Sequence, residues 1–172
     1  MKLWLAVTQD QWFKFVASKN LGGEINFWKP SCRRFLCLKA GEPFLFKMHD
    51  PDARIAGIAK FVRYEVMPTN EAWRIYGERN GYRDEYEFRS AVSHLQENFG
   101  GGGSSVGCII LDSFLKFPAG ASLNAYDFGW NKNIVVGRTY TDDEEGLLSG
   151  IQQILPKGYL ASAQAAAGGV NR

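Results

Sequence analysis

The apolar residues of this 172-residue chain come in short runs, such as Leu3-Trp4-Leu5-Ala6-Val7, Pro43-Phe44-Leu45-Phe46 and Val106 to Leu111. Each has the length of a β-strand, and none approaches the roughly 20 residues that a membrane helix needs. Between them lie stretches with helical spacing. Trp12, Phe13 and Val16 follow a capping box formed by Thr8 and Gln11. Ala72, Trp73 and Tyr76 share one face over 70–79, and Phe88, Val92 and Leu95 stripe a helix over 84–98 capped by Asp84. Strands are expected at 3–7, 35–38, 43–48, 55–66, 106–117 and 133–140, with a last helix running from Thr141-Asp142-Asp143 to Leu155. These elements mix without the regular alternation of a parallel βαβ sheet. The expected class is therefore α+β, a small, mostly antiparallel β-barrel flanked by helices.

One domain over 1–155 accommodates all of these elements and is long enough to bury a core. Residues 156–172 read as a tail or truncated linker, and the GGGGSS run at 100–105 as a flexible connection. The opening MKLWLAVTQDQW meets polar residues too soon for a signal peptide, which predicts a cytoplasmic protein with no membrane partner. Cys32, Cys37 and Cys108 include no CxxC pair, and His49 and His94 are far apart. Structural zinc shows paired ligand spacing, so no metal is expected, nor any other cofactor.

The stretch NFWKPSCRRFLCLKAGEPFLFKMH, residues 26–49, gathers the most chemistry. A polar loop carries Trp28 beside Lys29 and Ser31; an apolar strand follows, introduced by a Gly41-Glu42 turn; Lys47 and His49 stand at its end. A flat ring with hydroxyls and cations around it suits a flat polar ligand such as a nucleobase. Trp28, Trp73 and Trp130 are the candidate stacking rings. Asn26, Ser31, Asn131 and Asn133 are the candidate edge readers, with Lys47 and His49 at the mouth of a pocket. Phosphate contacts fall to Lys29, Arg33, Arg34, Lys132 and Arg138. Each has a plainer reading: aromatics on a helix stripe pack cores, asparagines cap turns, and charges solvate faces. The net charge of +2 supports an anionic partner only weakly. No Ser/His/Asp or Cys/His set is evident, and the glycines at 100–103 lack the GK[ST] of a phosphate loop. The carboxylates Asp142 to Glu145 fit a helix N-terminus. No catalytic residue is assigned.

In order along the chain stand Leu3 to Thr8, then Asn26 to Ser31, then Gly41 to Lys47, and next Ile55-Ala56-Gly57. Ala72-Trp73, Tyr76-Gly77-Glu78 and Asn80-Gly81 follow, then Gly107 to Leu111, Trp130, Asn133-Ile134-Val135 and Gly137 to Tyr140. Over roughly 1–155 this series resembles the N-terminal domain of predicted bacterial HNH-type restriction endonucleases. That domain is similar in layout to the PUA-like superfamily of EVE, ASCH, YTH and SRA domains, small barrels that hold a modified or flipped base in an aromatic pocket. The resemblance implies a DNA-binding recognition domain for a modified base, with an HNH nuclease lying C-terminal to it in the natural protein. On that view this chain is not itself catalytic but is part of an endonuclease. The sequence departs from the pattern at Gly57-Ile58-Ala59, where more glycine is expected, and at the glycine run 100–103, where a polar loop is expected. The residues leave an alternative open, an RNA-binding or small-nucleotide-binding PUA-like domain with no restriction role.

Overall fold

Short apolar runs rich in β-branched and aromatic side chains build six strands in the computed structural model, which describes residues 1–100, 103–121 and 123–161. They are β1 (Lys2–Thr8), β2 (Ile25–Lys29), β3 (Pro43–Met48), β4 (Ile55–Pro68), β5 (Ser105–Lys116) and β6 (Gly137–Thr141). The helices are α1 (Asp10–Lys19), α2 (Thr69–Tyr76), α3 (Glu85–Phe99) and α4 (Leu147–Gln152). The strands form one sheet in the order β2-β5-β4-β3-β1-β6. That sheet is open, with β2 and β6 as its edges, so the expected barrel is corrected to an open α+β sheet. Antiparallel pairing dominates as expected, and the exception is the parallel pair β1–β3, which sets Leu5 opposite Leu45.

The chain makes two compact units, and β4 and β5 contribute residues to both. The first unit comprises Met1–Asp10, Cys37–Phe61 and the chain from Phe114 onward. Its core joins Leu3 and Leu5 of β1, Leu45 of β3, Ile55 and Ile58 of β4, Tyr140 of β6, and Leu147 and Ile151 of α4. Tyr159 and Leu160, within the expected tail, pack partly buried against that core. The remainder of the expected tail, beyond residue 161, lies outside the described residues.

The second unit comprises Gln11–Leu36 and Val62–Ser113. Asp84 caps α3 as its spacing predicts, its Oδ1 accepting from the Glu87 amide at 2.9 Å. Phe88 and Val92 are buried beneath that helix, each worth about 1.5–3 kcal/mol relative to exposure. Gly81, at φ +87°, ends the 3₁₀ turn Gly77–Asn80 that follows α2. A Cβ there would lie 2.0 Å from Trp12 Cδ1, so only glycine fits.

Four local expectations are corrected. Residues 26–29, expected in a loop, belong to strand β2, where pairing with β5 sets Trp28 opposite Cys108. Residues 35–38 form no strand, although Phe35 and Leu38 are buried. Only the second half of 133–140 is extended. Thr8 does not cap α1; its hydroxyl donates to the Ala6 carbonyl at 3.0 Å within β1. Of the expected connection at 100–105, residues 101 and 102 lie outside the described residues, and Ser105 already belongs to β5.

Candidate nucleic-acid interface

The candidate residues divide between the two units. In the first, every residue of β3 is buried, and Lys47 near its end is only 2% exposed. Its ammonium donates to the Met48 carbonyl at 3.0 Å and to Asp50 Oδ1 at 3.2 Å. It also lies 5.1 Å from the centroid of the buried Trp130 ring. A desolvated ammonium over an indole is worth about 2 kcal/mol. Asp50 Oδ2 accepts from the Tyr126 hydroxyl at 3.1 Å. Partial desolvation, and the Asp50 carboxylate after it, push the Tyr126 phenol up. Asp50 and Tyr126 are about half exposed, so a polar chain runs from the buried cation to solvent. His49 is exposed and makes no side-chain hydrogen bond among the described residues.

Beyond Trp130 the chain turns back on Asn131, whose Oδ1 accepts from the Asn133 amide at 3.0 Å. Lys132 and Asn133 are exposed on that turn. Arg138 is engaged internally: it donates to the Gly129 carbonyl, pairs with Glu144 at 2.7 Å and stacks on Tyr140 at 4.5 Å. Asp143 accepts from the Ser149 amide at 2.8 Å. The acidic run is thus spent on local structure, as a helix start implies.

In the second unit the polar residues turn inward. Asn80 is fully buried and is a hub. Its Nδ2 donates to the Ala72 carbonyl at 3.0 Å and the Gly77 carbonyl at 2.8 Å. Its Oδ1 accepts from Asn26 Nδ2 at 2.9 Å, and its carbonyl accepts from the indoles of Trp12 at 3.0 Å and Trp28 at 3.2 Å. Trp28 is 8% exposed and meets Phe88 edge-on at 5.6 Å, so it packs as a core residue rather than presenting a free face. Trp73, half-buried, lies 6.0 Å from the same Phe88 ring. Asn26 Nδ2 also reaches Cys108 Sγ at 3.3 Å; burial pushes that thiol up to about 11, which keeps it protonated at neutral pH. Lys29 sits 5.3 Å from the Tyr64 ring, Ser31 Oγ accepts from the Arg33 amide at 3.1 Å, and Arg33 and Arg34 point outward.

Of the expected candidates, the structure brings Lys47 and Trp130 together; the residues that join this cluster, Asp50 and Tyr126, were not among those candidates. Asp50 lies three residues from Lys47, a spacing that could have suggested the pair. Tyr126 lies 76 residues from Asp50, and no local pattern joins them.

Arg63 of β4 forks onto Glu24 at 2.7 and 2.9 Å and also holds Glu65 at 2.8 Å. The hydrogen bonds from Arg63, with its charge adding to them, hold the Glu24 carboxyl below its ordinary value of 4.5, although burial opposes this. The stabilisation from this pair is present at pH 5 and above and is lost as pH falls below about 4.5. Both groups are some 40% exposed, so screening keeps the contribution under about 1 kcal/mol. Urea melts of the parent and Glu24→Gln chains should differ at pH 6, and the gap should narrow as pH falls below about 4.5. A gap that persists unchanged at pH 3 would show that the pair's charge contributes nothing.

No family model matches the chain, and no curated protein does. Among solved structures, ASCH from Zymomonas mobilis superposes at a TM-score of 0.54 with 14% identity, over 87% of this chain and 94% of that one. Two single-residue variants of the same protein give TM-scores of 0.59 and 0.60 at 13% identity, covering 90% and 89% of this chain and 100% and 96% of theirs. The fold is similar to that of this ASCH protein. At this identity the likeness is one of fold alone, shared by a chain whose sheet is open where a barrel was expected. Among the described residues, no helix of this ASCH-like chain is long and apolar enough to cross a membrane.

Proposed function

We propose that this chain is a nucleic-acid-binding module that admits a single base at the Lys47–Trp130 cluster, and that its natural target is DNA carrying a modified base. The observation that carries the proposal is the burial of the Lys47 ammonium against the Trp130 ring, in a chain of ASCH fold. Taking a lysine out of water costs several kcal/mol, and an apolar side chain of the same shape would serve packing as well. A charge kept at that cost beside an aromatic ring is a site candidate. The ammonium can donate to a base carbonyl or ring nitrogen, and Asp50 and Tyr126 form the half-exposed door to it. Extruding a base costs a few kcal/mol, and an aromatic contact of about 1–3 kcal/mol offsets much of that. In the same unit Lys132 is exposed, without an ion pair among the described residues, and can hold a phosphate. Arg33 and Arg34, which belong to the second unit, are likewise exposed and are phosphate candidates there. In the natural protein an HNH nuclease would follow and cut the DNA so recognised, serving phage defence.

The test is a fluorescence-anisotropy titration at near-physiological salt. It compares unmodified duplexes, duplexes with modified cytosine or adenine, and RNA of the same sequence. One modified duplex should bind at least about tenfold more tightly, roughly 1.4 kcal/mol. Equal affinity for every duplex would leave a DNA binder that does not read modification. Preference for RNA would move the target to RNA, and no binding at all would end the nucleic-acid reading.

A further inference from the structure

Residues 25–41 contain four cations, Lys29, Arg33, Arg34 and Lys39, and no carboxylate. Within this stretch, the loop that leaves β2 is pinned at four points. Gln96 Nε2 donates to the Pro30 carbonyl at 3.3 Å and, by its second hydrogen, to the Ser105 carbonyl at 2.8 Å. Ser31 Oγ accepts from the Arg33 amide, the Arg33 carbonyl accepts from the Tyr64 hydroxyl at 2.8 Å, and Phe35 is buried. The seat is close: a Cβ on Gly107 would lie 2.5 Å from the Tyr64 hydroxyl and 2.6 Å from the Ser31 carbonyl oxygen. Burial pushes the Tyr64 phenol up to about 12, so it remains a donor across the physiological range.

This fixed loop turns three side chains to solvent. Arg33 and Arg34 are exposed, and neither side chain has a hydrogen bond or ion pair among the described residues. Leu36 is 75% exposed. An isolated surface leucine carries no meaning by itself. Here the leucine follows the exposed Arg33–Arg34 pair by two residues, next to the buried Phe35 and on a loop held by the pins above. The surroundings complement a polyanion with an apolar interior, which is what a stacked nucleic acid offers.

We propose that Ser31–Leu36 is a wedge loop, in which Leu36 enters a base step while Arg33 and Arg34 hold the flanking phosphates. Apolar wedges of this kind part adjacent bases at a cost of a few kcal/mol, which closer wrapping of the opened duplex around the protein offsets. The planar guanidinium forks match phosphate oxygens two at a time. The wedge rests on the nucleic-acid reading and adds local unstacking to it.

The experiment uses the full chain and DNA duplexes carrying 2-aminopurine, whose fluorescence rises when a base step opens, together with anisotropy over a range of salt. Binding of the parent chain should raise that fluorescence. Leu36→Ser alters an exposed side chain and leaves every pin in place, so it should remain folded. It should bind roughly fivefold more weakly with an unchanged salt slope and lose the fluorescence rise. The double variant Arg33→Ser and Arg34→Ser should lower the slope of log affinity against log salt by about 2, close to 0.9 per phosphate contact. A Leu36→Ser chain that binds and opens the duplex like the parent overturns the wedge and leaves the nucleic-acid reading standing. A parent chain that binds no nucleic acid overturns both.

Discussion

Asn80→Ala is expected to lower the unfolding free energy by about 3 kcal/mol. The side chain satisfies two backbone carbonyls, of Ala72 and Gly77, and accepts from Asn26. All of this takes place with Asn80 fully buried, where water does not compete. Alanine keeps the backbone carbonyl that the indoles of Trp12 and Trp28 use, so those two bonds survive. It removes the amide donor from both carbonyls at once and leaves Asn26 Nδ2 with Cys108 Sγ, a weak acceptor, as its remaining partner. Each buried orphan costs about 1–3 kcal/mol, and partial relaxation of the 3₁₀ turn returns part of the sum. Burial of Asn26 compounds the effect, because its Oδ1 already lacks a partner and only its Nδ2 is satisfied. A urea titration should show a lower midpoint with an unchanged slope. A loss below about 1 kcal/mol would mean that water replaces the amide, and that Asn80 is not the hub of the second unit.

Lys47→Met is expected to separate stability from binding. Methionine fills nearly the same space and needs no partner. Replacing a buried charge with an apolar side chain is commonly neutral or better, and Asp50, left behind, is half-exposed and keeps the Tyr126 hydroxyl. Stability should therefore change by less than about 1 kcal/mol. Nucleic-acid affinity should fall roughly thirtyfold, about 2 kcal/mol, because a buried charged donor to the ligand is lost. The pair of readouts matters, since a lysine kept only for packing would give no loss of affinity in a chain that still folds. That outcome would remove the cluster from the binding site.

The extent to which this architecture could be read in advance depends on the range over which each feature is determined. β1, β3 and α3 are written locally: unbroken apolar runs at 3–7 and 43–46, and Asp84 with its i+3 amide partner. Trp28 looked exposed because Lys29, Pro30 and Ser31 follow it. Its burial comes from pairing with Cys108, 80 residues away, and from Asn80 accepting its indole proton. Residues 35–38 looked extended because Phe35 and Leu38 are apolar. Their side chains are buried, but the backbone finds no ladder partner, and Leu36 between them faces solvent. The open sheet is a matter of which strands meet, above all the parallel β1–β3 pair, and no local pattern encodes that choice. In the Lys47–Trp130 cluster, both residues could be singled out by residue type as candidates. The Asp50–Tyr126 link that completes their surroundings could not, since it spans 76 residues.

The interleaving of the two units along the chain decides how such a domain can be inherited. The shortest continuous stretch that holds all of the second unit is 11–113, and it necessarily carries Cys37–Phe61 of the first. The first unit in turn needs both Met1–Asp10 and the chain beyond Phe114. No single excision yields either unit alone, so neither could have been a free-standing ancestor in its present connectivity. Gene fusion can place this domain next to a new partner, but recombination within it cannot exchange one unit for another.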